Sequence, residues 1–201
     1  MMMERAGRPR DPEVDRRITD AAMDVFGSAG WAGFSIDAVA RVAGVGKASI
    51  YLRWASKEEL LTDSVGQRFA PIVEIDTGNV REDLLAMTSV LVELFSGRHG
   101  LAARRMTVES HATEGIAERW QSVRGSQITA ARTIVQRGVR RGELRSDTPV
   151  TILLDTLCGA AINHAIATPP HLRERVARER DKYTSDLVDF VLASLITTDD
   201  S

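Results

Sequence analysis

Between Ser35 and Leu61 two helical stretches, each too short to hold together alone, are separated by a turn of only a few residues. Ser35 is a side-chain N-cap, and Ile36, Val39, Ala40 and Ala43 fall on one face of the stretch 36–43. Gly44 stands where a left-handed C-terminal residue belongs, Val45-Gly46 is a tight connection, and Lys47 to Arg53 forms the second stretch. Ser56-Lys57-Glu58-Glu59 then reads as a capping box that opens a further helix, running to about Phe69 and stopped by Pro71. Short helices at such spacing bury their apolar faces only by crossing steeply. Val39, Ala40 and Ala43 are expected to meet Val45 and Ile50, giving a helix-turn-helix.

The rest of the chain carries the same period. Asp11 caps and Pro12 opens a first helix whose apolar face is Val14, Ile18, Ala21, Ala22, Val25 and Phe26, with Gly27 and Gly30 marking its end. Further helices are expected over 80–95, 101–112, 116–141, 152–167 (apolar on nearly every side) and, after Pro169-Pro170, 172–195, with the tail from Thr197 frayed. There is no sustained period-two alternation and no glycine-rich phosphate loop. The fold class is therefore all-α, about nine helices: an N-terminal three-helix helix-turn-helix domain followed by a second helical domain.

The formal net charge of −2 excludes a polybasic chromatin-type protein and an acidic disordered chain. No apolar run is expected to reach the length of a membrane helix, and MMMERAGRPRD has no apolar segment of a secretory signal, so neither membrane nor export is expected. A single cysteine, Cys158, forbids an intrachain disulfide and suits the cytoplasm. With four scattered histidines it also argues against a metal site, and no nucleophile–base cluster points to an enzyme; no cofactor is expected. What the neutral total conceals is local order. Arg41, Lys47, Arg53 and Lys57 place four positive charges and no acid between positions 41 and 57, and Arg5, Arg8 and Arg10 make a basic arm suited to a minor groove or phosphates.

The stretch SIDAVARVAGVGKASIYLRWASKEELL resembles the DNA-binding motif of TetR-type transcriptional regulators, matched at Ala43-Gly44-Val45, Lys47-Ala48-Ser49-Ile50-Tyr51, Trp54 and Ser56-Lys57-Glu58-Glu59-Leu60. The likeness extends back through the first helix, over roughly residues 12–62. It implies a basic arm (1–11), a DNA-binding domain (12–70), and a ligand-binding and dimerisation domain (71–201). By the same resemblance Tyr51 and Lys57 meet backbone phosphates, and Ser35 presents a capped helix end to another. Lys47, Ala48, Ser49 and Arg53 approach base edges and adjacent phosphates, and Arg8 and Arg10 belong to the arm; Arg53, a departure from the family pattern, would shift base preference toward guanine. Gly46 departs from the family's usual serine, and Arg53-Trp54 from its commoner His-Phe pair; Trp54 is expected to be a core anchor.

The resemblance further implies a cytoplasmic homodimer, joined through its last two helices and nucleoid-associated when bound to a pseudo-palindromic double-stranded operator. It most readily represses and is released by a small hydrophobic effector. Met87, Leu91, Phe95, Met106, His111, Trp120, Ile128, Cys158, Asn163 and His164 are candidate pocket residues. Other readings stay open from the residues themselves: an activator of the same fold, a regulator without a ligand, or an all-α protein-binding module. Polar residues such as His111, Asn163 and His164 are equally satisfied by ordinary core or interface contacts.

Overall fold

The computed structural model describes residues 11–113, 116–193 and 195. Among them are ten α-helices and no strand: α1 (Pro12–Gly33), α2 (Ile36–Ala43), α3 (Lys47–Tyr51), α4 (Lys57–Val73), α5 (Val80–Ser96), α6 (Gly100–Glu109), α7 (Ile116–Arg140), α8 (Val150–Ala167), α9 (Arg173–Arg178) and α10 (Arg180–Leu192). A 3-10 turn, Pro170–Leu172, precedes α9.

Local signals set most boundaries. Asp11 Oδ1 accepts from the Glu13 N–H at 3.0 Å, with Pro12 in the first turn. Asn79 caps α5 through the Glu82 N–H at 3.1 Å. Four expectations are corrected. α1 does not stop at Gly27: that residue is helical and buried, because the α6 backbone runs close beside it (a Cβ there would stand 3.3 Å from the Ala102 nitrogen). The break falls at Gly30, whose φ of 64° only glycine adopts without strain, and the helix resumes to Gly33. α4 continues past Pro71 to Val73. The single last helix is instead a 3-10 turn, α9 and α10, parted at Glu179 (φ −93°, ψ 6°). Finally, the 18 residues of α8 do reach the length and mean hydropathy (1.5) of a membrane span, with Asp155 as their one formal charge. Thr151, Thr156 and Asn163 interrupt its apolar surface, and Leu153, Leu154, Leu157 and Ala161 bury one side of it.

Two apolar cores result. The first gathers α1–α4 around Phe26, Phe34, Ile50, Trp54, Leu60 and Leu61, and takes in Ala102 and Met106 of α6 with Ile116 and Trp120 of α7. The second joins α5, α7, α8 and α10 around Leu84, Met87, Ile134, Val135, Leu157 and Val188. α6 and the start of α7 therefore belong energetically to the helix-turn-helix unit as well as to the C-terminal helices.

Candidate nucleic-acid interface and effector cavity

The steep approach of α2 and α3 comes from the turn. Gly44 adopts φ 65°, ψ 39°, and the Val45 N–H donates to the Ala40 carbonyl at 3.0 Å, the six-residue closure of a Schellman motif. Ser35 Oγ accepts from the Ala38 N–H at 3.2 Å. Gly46 makes no side-chain cap for α3. Ile50 and Trp54 point inward and are buried, and the Trp54 indole N–H donates to Asp63 Oδ2 at 2.8 Å, so Trp54 is the expected anchor with a polar tie added. Ser56 Oγ caps α4 through the Glu59 N–H at 3.1 Å, but Glu59 reaches back to the Ala55 N–H (2.7 Å) rather than to that of Ser56. The capping box is thus shifted by one residue on its return side.

With Ile50 and Trp54 inward, Lys47, Ala48, Tyr51 and Leu52 are exposed. Lys47 Nζ pairs with Asp37 of α2; the hydrogen bond and the charge of that carboxylate push the lysine pKa up, so it stays an ammonium. Lys57 Nζ lies 3.9 Å above the Trp31 ring and 3.4 Å from the Phe34 carbonyl, beside the Ser35 cap. Arg53 departs from expectation. Its side chain is 12% exposed, its Nε pairs with Asp15 of α1, and its Nη1 donates to the Ser49 carbonyl at 2.8 Å. It ties α3 to α1 and does not project toward a partner. Arg5, Arg8 and Arg10 lie outside the described residues.

A cavity of about 460 Å³ opens between α5, α6, α7 and α8. Met87, Leu91, Phe95, His111, Trp120, Ile128 and Cys158 line it, as expected of candidate pocket residues. Met106 does not, being sealed in the first core. Asn163 and His164 do not either: they border a separate groove by α9, where His164 stacks on Tyr183 with ring centroids 3.8 Å apart. Sequence reasoning missed Arg124, Gln127 and Arg132, which α7 adds to the cavity wall, the two arginines being exposed. Their spacing on one helix was visible, but the neighbours of that face were not.

Elsewhere, α8 and α10 leave large apolar side chains uncovered: Ile152 (65% exposed) and Ile166 (63%) on α8, and Phe190 (78%) on α10.

The family model for bacterial regulatory proteins of the tetR family matches residues 18–63, and the model for tetracyclin repressor-like C-terminal domains matches residues 74–180. The chain belongs to the TetR family of transcriptional regulators. It is 33% identical to the HTH-type transcriptional regulator AqdR of Rhodococcus erythropolis over 75% of this chain and 73% of that one. The native TylP regulator of Streptomyces fradiae superposes with a TM-score of 0.73 at 21% identity, covering 96% of this chain and 89% of that one. The FadR regulator of Bacillus subtilis in complex with stearoyl-CoA superposes at 0.64 with 20% identity, covering 90% and 97%. The chain is thus a DNA-binding transcriptional regulator, with its helix-turn-helix at the N-terminal end.

Proposed function

We propose that the chain is a ligand-responsive repressor that binds a pseudo-palindromic operator as a homodimer and is released by a small amphipathic effector. Residues 12–70 would bind DNA, residues 71–201 would bind the effector and a second copy, and the basic arm of residues 1–11 would follow the backbone. The observation that carries the reading is the orientation of α3: Ile50 is fully buried while Lys47, Ala48 and Tyr51 face outward, next to Lys57 at the start of α4. On this reading Tyr51 and Lys57 hold phosphates, with Ser35 beside them, and Ala48 and Ser49 approach base edges.

The effector reading rests on the cavity. Met87, Leu91 and Phe95 make an apolar floor, and the exposed Arg124 and Arg132, against the one carboxylate of the wall, Asp155, suit an anionic group. A solved relative that holds stearoyl-CoA supports an acyl-bearing anion as the class of effector. Release requires that this molecule bind the DNA-incompetent state more tightly. The uncovered faces of α8 and α10 are proposed as the dimer seam rather than a membrane contact, which keeps the regulator in the cytoplasm with its operator.

The test is selection of DNA from random pools by the purified protein, followed by titration of the complex with acyl-CoA of graded chain length. A palindromic consensus, and release that depends on chain length, are expected. Binding that shows no preference over random DNA at fixed salt would sink the regulator reading and favour a protein-binding module.

A further inference from the structure

α3 and its cap sort into rows when projected down the helix axis. Taking Ile50 as the inward direction, a rotation of about 100° per residue puts Ala48 and Leu52 at about 160° and 200°, the outermost ridge. Lys47 and Tyr51 fall at about 60° and 100° on one flank, Ser49 and Arg53 at about −100° and −60° on the other. The structure agrees with that projection. Leu52 keeps helical geometry (φ −66°, ψ −14°), donates its N–H to the Ala48 carbonyl at 3.0 Å, and is 83% exposed. Ala48 is exposed beside it, while Arg53 is turned back onto Asp15. The part of α3 that would enter a groove first is therefore apolar, and the guanidinium that could have read guanine is committed elsewhere.

An apolar ridge needs an occupant. Here it is set in a surface that carries Lys47, paired with the exposed Asp37, and Tyr51 on the adjoining flank, with Lys57 unopposed by that carboxylate at the start of α4. That charge suits a polyanion better than an apolar protein surface. Leucine has no hydrogen-bonding atom, and the one apolar feature that bases present in the major groove is the C5-methyl of thymine. Resting on the DNA-binding reading above, we propose that Leu52 is a specificity residue that reads thymine methyl groups. Each half-site would then be defined at this position by a methyl contact rather than by an arginine–guanine pair.

The experiment uses the full-length protein and its selected operator. Thymines are replaced one at a time by deoxyuridine, which removes only the methyl, and binding is followed by fluorescence anisotropy at fixed salt. One thymine per half-site is expected to matter, its loss weakening the wild-type about four-fold, the worth of one buried methyl-sized group. Leu52→Ala is expected to bind the thymine and uracil operators equally, with an unchanged melting temperature because the side chain is exposed. Equal wild-type affinity for all uracil-substituted operators would overturn the proposal, as would a Leu52→Ala variant that keeps the wild-type thymine/uracil ratio. Both results presuppose an operator; if selection yields none, the DNA-binding reading itself has failed.

Discussion

Arg53 shows how one side chain can change meaning between sequence and structure. In the sequence it is one of four unopposed charges on the segment 41–57; in the fold it is held by Asp15, a residue 38 positions away. Arg53→Ala is accordingly expected to lower stability by about 1.5–3 kcal/mol, the range for a charge-assisted hydrogen bond, with base preference unchanged. Chemical denaturation and operator selection on the same variant check both halves. Tyr51→Phe and Lys57→Ala should behave oppositely: near-native stability for Tyr51→Phe, weaker binding to all sequences for both, and for Lys57→Ala a salt dependence shallower by about one phosphate contact. Gel-shift titrations across salt concentration report this. In the cavity wall, burial pushes the Cys158 thiol up to about 11. It is expected to react with thiol reagents at neutral pH far more slowly than a free cysteine, and a timed alkylation measures it.

At the scale of elements, the α2–α3 turn was legible because every signal for it is local. The Ser35 cap, the face of Ile36, Val39, Ala40 and Ala43, and the left-handed Gly44 all lie within ten residues, and the structure reproduces those bounds to the residue for α2. Gly44→Ala meets no steric obstacle, so its cost is the backbone alone, about 1–2 kcal/mol. The failures have non-local causes. Gly27 reads as a terminator in the sequence but serves a close approach of α6. The parting of α9 from α10 at Glu179 has no breaker residue to announce it.

Asp83 is another such case, an acid in the first turn of α5 that turns out to be wholly buried. Burial alone would raise its pKa. The Thr77 N–H (2.6 Å) and hydroxyl (2.7 Å), with Arg141 and Arg137, more than offset this and hold the carboxyl below its usual range. The stability it lends is therefore complete above the ordinary carboxylate value of about 3.9 and is lost as pH falls through the lower folded value. Asp83→Ala takes the buried carboxylate from the Thr77 N–H and hydroxyl and from Arg137 and Arg141, which keep Asp76 and Glu143; it should cost about 1.5–3 kcal/mol at neutral pH and remove that part of the acid sensitivity. Denaturant melts at pH 7 and pH 3 test both statements.

For the whole molecule, the two cores meet where α6 and α7 are shared. Thr107 and His111 line the cavity on one side of Glu109, and Glu109 Oε2 accepts from the Trp31 N–H at 2.8 Å, next to the ring on which Lys57 rests. Glu109→Ala is expected to shrink the difference in operator affinity with and without effector, measured as the ratio of the two dissociation constants. At the other end, Phe190→Glu on α10 should shift the protein toward monomer in sedimentation and abolish cooperative operator occupancy. The apolar character of α8 was readable in the sequence. Which of the candidate pocket residues converge was not, since Met106 and His164 have the same character as Phe95 and His111 and differ only in what the fold sets against them.

The three tryptophans of the chain all belong to the first core or its rim: Trp54 at its centre, Trp31 beneath the Lys57 ammonium, and Trp120 where that core borders the cavity. None lies in the second core. Ultraviolet emission from this protein is consequently a label-free readout of its first core. An effector would be sensed through Trp120, a phosphate drawing Lys57 away through Trp31, and the two quenching signals could be separated by adding DNA and effector in turn.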